Sequence, residues 1–253
     1  MVRRLVVHAG FHKTATTTLQ NTLAAHSELL APHAHILLRA EMKGLCEAAR
    51  HYSKTGTEFD LGLVAYEAAL LAEDWTQDTV LLSSEDLSGH MPGRHGLMDY
   101  SAAPRLVASM TDAWRAACPK ARITWVYTTR APGPWLASCH VQHLRAVRMT
   151  LDAAGYATAY AGSADLDGIV AQLRRTGADV TALPIEEHGD TLVDQLLRCA
   201  DIPAPVRAQV RQVKAANTSP DPDRITALLD LNRSNLSHAD WRAARTALLN
   251  RGH

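Results

Sequence analysis

Cysteine is scarce, with four in 253 residues (Cys46, Cys118, Cys139 and Cys199) and no CxxC pair among them. Thiols so widely spaced read as reduced, and the expected compartment is cytoplasmic. Excess charge of either sign is missing too, since 26 Lys and Arg balance 26 Asp and Glu. A balanced chain carries neither a nucleic-acid footprint nor a polybasic membrane patch, so any anion site has to be local. No run of about 18 apolar residues occurs, and no membrane span is expected. Met1-Val2-Arg3-Arg4 leads straight into a short apolar run. It lacks the long apolar region and small-residue cleavage site of a signal peptide. The 13 histidines show no His-Glu-x-x-His spacing, and no metal is expected. Internal repeats and low-complexity segments are absent as well.

What remains is a 47% hydrophobic chain, enough for one large α/β domain over residues 1–253. Its core is expected over about 1–203, with a helical extension over 204–253. Apolar runs of strand length stand at 5–9, 35–39, 79–84, 122–129 and 179–183. Helical patterns separate them, one behind the 10–20 stretch and others at 40–51, 61–75, 103–118, 132–148, 165–175 and 191–200. A short helix is expected at 206–213 and two more over 224–250. Residues 156–163 read as irregular, and 88–98, with three Gly and one Pro, as a mobile-looking loop. Strands alternating with helices predict a three-layer sandwich. Its central parallel sheet has about four to five strands and helices on both faces, as in P-loop NTPases. The helices past Pro222 are a candidate contact for a homodimer.

The chain is organised around residues 10–20, Gly-Phe-His-Lys-Thr-Ala-Thr-Thr-Thr-Leu-Gln. An apolar strand precedes this stretch, and a helix follows with Leu19, Leu23 and Ala24 on one face. The turn offers backbone N–H groups, a helix N-terminus and the Lys13 ammonium to one point, which is how proteins hold phosphate or sulfate. In parallel sheets ligands bind beyond the carboxyl ends of the strands. Those ends carry Lys13 with its threonines, then Glu85, then Arg130. A Walker P-loop needs Gly-x4-Gly-Lys-[Ser/Thr], but this turn has no Gly-Lys pair and puts Ala15 where a second glycine would help.

Lys13-Thr14-Ala15-Thr16-Thr17, taken with Thr128-Thr129-Arg130 and Ser138, resembles the sulfotransferases that use 3′-phosphoadenosine 5′-phosphosulfate (PAPS), of bacterial or Golgi-like type. The resemblance covers about the first 203 residues, loosely outside the motifs. It implies that His12, Lys13, Thr14, Ala15, Thr16, Thr17 and Thr18 hold the 5′-phosphosulfate. Arg130 and Ser138, seven residues between them, would grip the 3′-phosphate. It also implies that Glu85, after Ser83-Ser84, is the general base, and that Lys13 stabilises the leaving phosphate. The acceptor is expected to be a hydroxyl on a small molecule or carbohydrate, with His90, Arg94 and His95 near it. Ala15 replaces the family's usual glycine. Thr18 stands where cytosolic members carry a Trp that stacks on adenine. The family's Arg-Lys-Gly-x-x-Gly signature is missing, and Lys214, Asn217 and Ser219 are the candidates for its region. Two alternatives stay open. One is a kinase-like enzyme using magnesium ATP, with Glu85 and Asp86 as metal ligands. The other is a non-catalytic nucleotide-binding protein of the same fold.

Overall fold

The computed structural model describes residues 2–213 and 221–250; Lys214, Asn217 and Ser219 lie outside the described residues. Strand β1 (Arg4–His8) leads through the turn into α1 (Thr16–Ala25), α2 (Ser27–Leu30) and β2 (His35–Leu38). Helices α3 (Lys43–Thr55) and α4 (Glu58–Ala72) precede β3 (Thr79–Ser83). Helix α5 (Ala103–Ala117), β4 (Arg122–Thr129), α6 (Pro132–Ala146) and α7 (Ala153–Ala159) follow. Then come α8 (Leu166–Arg175), β5 (Asp179–Pro184), α9 (Ile185–His188), α10 (Leu192–Cys199) and α11 (Ala204–Arg207). The chain ends with α12 (Pro222–Arg233) and α13 (His238–Asn250).

The five strands form one parallel sheet in the order β2-β3-β1-β4-β5. Successive side chains of a strand point to opposite faces, and that alternation divides the core in two. Leu5 and Val7 of β1, Val80 and Leu82 of β3, and Trp125 and Tyr127 of β4 pack into the larger cluster, under α3 to α6 and α8. Val6, Leu81 and Val126 face a smaller cluster closed by Leu19 and Leu23 of α1 and by α10. Both faces are therefore buried, which is why the strands read as unbroken apolar runs. Each fully buried Val or Leu contributes about 1.5–3 kcal/mol relative to exposure. β1 sits in the middle, with β3 and β4 on either side. This is the reversal point beyond whose strand ends ligands bind in open α/β sheets.

Several expectations are corrected. Ala24 is exposed, and Thr22 takes the buried place beside Leu23. Residues 156–163 are ordered as the end of α7 and a 3-10 turn, Ala161–Ala164; the Asp152 carboxylate starts α7 by accepting from the Gly155 N–H at 2.8 Å. Helix α4 begins three residues earlier than its apolar pattern, because the Thr57 hydroxyl caps it by accepting from the Asp60 N–H. The helix expected at 206–213 is only the single turn α11. Beyond it the chain runs along α1, where the N–H groups of Arg211 and Val213 donate to His26 Nε2 and Thr22 Oγ1. Bonds to another helix's side chains replace the intrahelical ones. The loop over 88–98 is packed: Ser88, Gly89, Met91 and Pro92 are buried, and the Ser88 hydroxyl donates to Gly10 O at 2.9 Å.

Candidate functional site

The turn after β1 is strained and pinned. Gly10 has φ 51°, and a Cβ there would lie 2.6 Å from Thr16 Cγ2, so glycine is required. Lys13 and Ala15 are also left-handed, at φ 68° and 67°. That region costs an L-residue about 1–2 kcal/mol, and such strain persists where the surroundings over-determine it. Here they do. Trp135 Nε1 donates to His12 O at 2.9 Å. The His12 N–H donates to the Tyr100 hydroxyl at 3.1 Å. Arg130 Nη1 donates to Lys13 O at 3.3 Å. Thr14 Oγ1 donates to Phe11 O at 2.5 Å and lies 2.6 Å from Thr128 Oγ1. Left-handed residues on either side of Thr14 give the alternating backbone that gathers N–H groups into an anion-binding concavity. It runs into α1, whose start has no side-chain cap. The first N–H groups of that helix, at Thr16, Thr17 and Thr18, therefore lack intrahelical acceptors.

Over the turn lies a cleft of about 360 Å³, within the range of small-molecule sites. Ten of the residues singled out in the sequence line it: His12, Lys13, Ala15, Thr16, Thr17, Thr18, Glu85, Arg94, Arg130 and Ser138. Three regions distant in the chain thus meet at the ends of β1, β3 and β4. Thr14 does not line the cleft. It is fully buried with its hydroxyl spent inside the loop, so only its backbone is left to face an anion. His90 and His95 do not line it either; their rings pack on each other, centroids 4.6 Å apart. Met91, Gln142 and Ile185 line it without having been singled out. Gln142 had a signal, since it stands four residues after Ser138 on α6 and so on the same face.

Glu85 opens a 3-10 turn, Glu85–Ser88, just past β3. The Gln20 amide donates to its Oε2 at 2.8 Å. Burial pushes the Glu85 carboxyl up, but the neighbouring His12, its own backbone N–H and the Gln20 amide outweigh burial and hold it below the usual carboxylate range. Burial pulls His12 down, against the attraction of Glu85 and Asp86. Lys13 is lowered first by burial and then by the positive charges of Arg145 and Arg130. Asp86 is buried behind His12, with Oδ1 3.9 Å from His12 Nε2 and Oδ2 2.5 Å from Arg39 Nε and 3.7 Å from Arg50 Nε. It does not line the cleft, so the pairing of Glu85 with Asp86 as two magnesium ligands finds no geometric support. Behind the site, the fully buried His8 shares a 2.8 Å hydrogen bond with Ser83 Oγ, and burial lowers it to about 4.

The cleft thus offers three cations, one carboxylate, the hydroxyl residues Thr16, Thr17, Thr18 and Ser138, and a helix start. That set suits a polyanion with a proton-bearing group beside the carboxylate.

No protein-family model matches the chain. No curated protein sequence matches it. Among solved structures, a sulfotransferase from Alicyclobacillus acidocaldarius aligns over 96% of this chain and 100% of that one, with 18% identity and a TM-score of 0.47.

Proposed function

We propose that the cleft binds PAPS and that the protein transfers its sulfuryl group to a hydroxyl. One observation carries this reading: Lys13 and the start of α1, Glu85, and Arg130 with Ser138 line a single cleft. A donor with phosphate at both ends of its ribose needs two separate anion grips, and the turn and the β4–α6 junction supply them. Arg130 presents a planar fork suited to phosphate oxygens. Ser138, two helical turns along α6, adds a hydroxyl.

The chemistry follows from the charges. The acceptor oxygen attacks sulfur, and the bond from sulfur to the bridging phosphate oxygen breaks. The acceptor's proton goes to the Glu85 carboxylate, which is ionised because its pKa is held low. A base within hydrogen-bond reach is worth roughly 100- to 10,000-fold. Lys13 and the N–H groups of Thr16 to Thr18 face the charge that builds on the leaving phosphate, where fixed dipoles act with little reorganisation. The products are the sulfated acceptor and 3′-phosphoadenosine 5′-phosphate (PAP).

The test is transfer from radiolabelled PAPS across a panel of hydroxyl acceptors, run beside calorimetric titration with PAP. Binding of PAP and transfer abolished by Lys13→Ala support the reading. Absence of PAP binding ends it. Tight binding without transfer to any acceptor favours a nucleotide-binding protein that does no chemistry.

A further inference from the structure

We infer that the acceptor carries an anionic group, a carboxylate in the simplest case, and that Arg94 binds it. This rests on the donor assignment above and extends it to the other substrate.

Arg94 lines the cleft with Lys13 and Glu85. Its Nε is buried without a hydrogen-bond partner. Among the described residues no carboxylate lies within ion-pair distance of its guanidinium. The acid of the same loop, Glu85, is already held by Gln20. Arg94 is half-buried and open to the cleft, and an anionic ligand there gives its guanidinium the charged, forked partner that the protein itself does not.

The loop fixes Arg94 in place. Arg94 N donates to Met91 O at 3.3 Å, Gly93 N to Leu97 O at 2.7 Å and Leu97 N to Arg94 O at 2.9 Å. Gly93 has φ 90°, and a Cβ there would lie 2.5 Å from His143 Cε1. The turn is therefore seated against α6 at a position that only glycine fits.

Its place in the sheet separates it from the donor's grips. β1, with Lys13 beyond its end, runs between β3 and β4. Arg130 comes from β4, whereas Arg94 comes from the loop after β3, which also carries the base. The cations on β1 and β4 answer the donor's two phosphate ends. Arg94 is left on the side where the acceptor hydroxyl must meet Glu85.

The test uses matched probes: 4-hydroxyphenylacetate against its methyl ester, and glucuronate against its methyl ester. Transfer from PAPS is followed for each, and probes that are not turned over are titrated calorimetrically into PAP-saturated protein. The acid of at least one pair should be favoured about tenfold or more, the worth of a charge-assisted bond. Arg94→Gln should erase that preference, and Arg94→Lys should keep part of it. A thermal melt identifies a variant that fails to fold, in which case Arg94→Lys carries the test. Equal handling of acids and esters by the wild type overturns the inference, as does a preference that survives Arg94→Gln. A large loss of PAP affinity in Arg94→Gln also overturns it, by assigning Arg94 to the donor. Wild-type protein that binds no PAP defeats the donor assignment and this inference together, whereas PAP binding without acid preference defeats only the inference.

Discussion

Replacing Ala15 by glycine should not weaken the protein as an alanine-to-glycine change ordinarily does. Ala15 is held at φ 67° and ψ 15°, where an L-residue loses about 1–2 kcal/mol. Glycine removes that cost. It also adds about 0.4–1 kcal/mol of unfolded-chain entropy. The Ala15 methyl packs partly on the smaller core, and losing it costs about 0.4 kcal/mol, half of a fully buried methylene. The net is a gain of about 0.4 kcal/mol. Ala24, exposed on the right-handed helix α1, is the control, and Ala24→Gly should cost about 1 kcal/mol. The two variants should therefore differ by about 1.4 kcal/mol in urea unfolding, or about 3–6 °C in melting temperature for a chain of this size. If Ala15→Gly loses as much as Ala24→Gly, the left-handed turn and the anion concavity built on it are refuted.

Thr14→Val should lose about 1–3 kcal/mol in urea unfolding, because it strands the buried Phe11 carbonyl and Thr128 hydroxyl; unchanged stability would mean that the hydroxyl does not pin the loop. Stability should fall with acid. Folded His8 sits at about 4 against 6.5 for the free side chain, so between those values the unfolded chain binds the proton that the folded one refuses. Its contribution is complete above pH 6.5 and is lost as pH drops to about 4, roughly 3 kcal/mol in all. Urea midpoints across that range should show the slope, and His8→Asn should reduce it, leaving the part owed to His90 and His143, which burial also lowers to about 4. Glu85→Gln should lower kcat for sulfuryl transfer about 100- to 10,000-fold while the variant still binds PAP; undiminished kcat would remove Glu85 as base. Arg130→Ala should weaken PAP about 10- to 100-fold in calorimetry. Its effect on 5′-AMP, which lacks the 3′-phosphate, should be smaller, limited to the lost bond from Arg130 to Lys13 O.

Periodicity made the sheet legible. Leu5 to Val7, Val80 to Leu82 and Trp125 to Tyr127 are apolar on both faces, and such runs announce parallel strands without reference to anything distant. Lys13, Glu85 and Arg130 were legible for a related reason, because strand ends are where an α/β sheet gathers its ligands, whereas Ser138 was picked out only by its spacing from Arg130 in the family resemblance. The rest depended on contacts that no local pattern encodes. The inward hydroxyl of Thr14 follows from Thr128, 114 residues away. Gln20 reaches Glu85 because α1 runs beside the end of β3. Residues 208–213 leave the helical path because α1 side chains take their N–H groups, a competition invisible in their own sequence. The glycines of 88–98 suggested mobility, whereas Gly89 and Gly93 are there for close packing: a Cβ would lie 2.6 Å from Ser53 Cβ at the first and 2.5 Å from the His143 ring at the second.

The central claim, a cleft that grips a nucleotide by both its 5′ and its 3′ phosphates, is tested most directly by calorimetric titration with PAP and with 5′-AMP, in chelator, on wild type and Arg130→Ala. The account predicts that wild type binds PAP at least tenfold more tightly than 5′-AMP without added metal, and that Arg130→Ala abolishes the difference. Equal affinity for the two nucleotides, no heat with PAP, or tighter binding of magnesium ATP would contradict it.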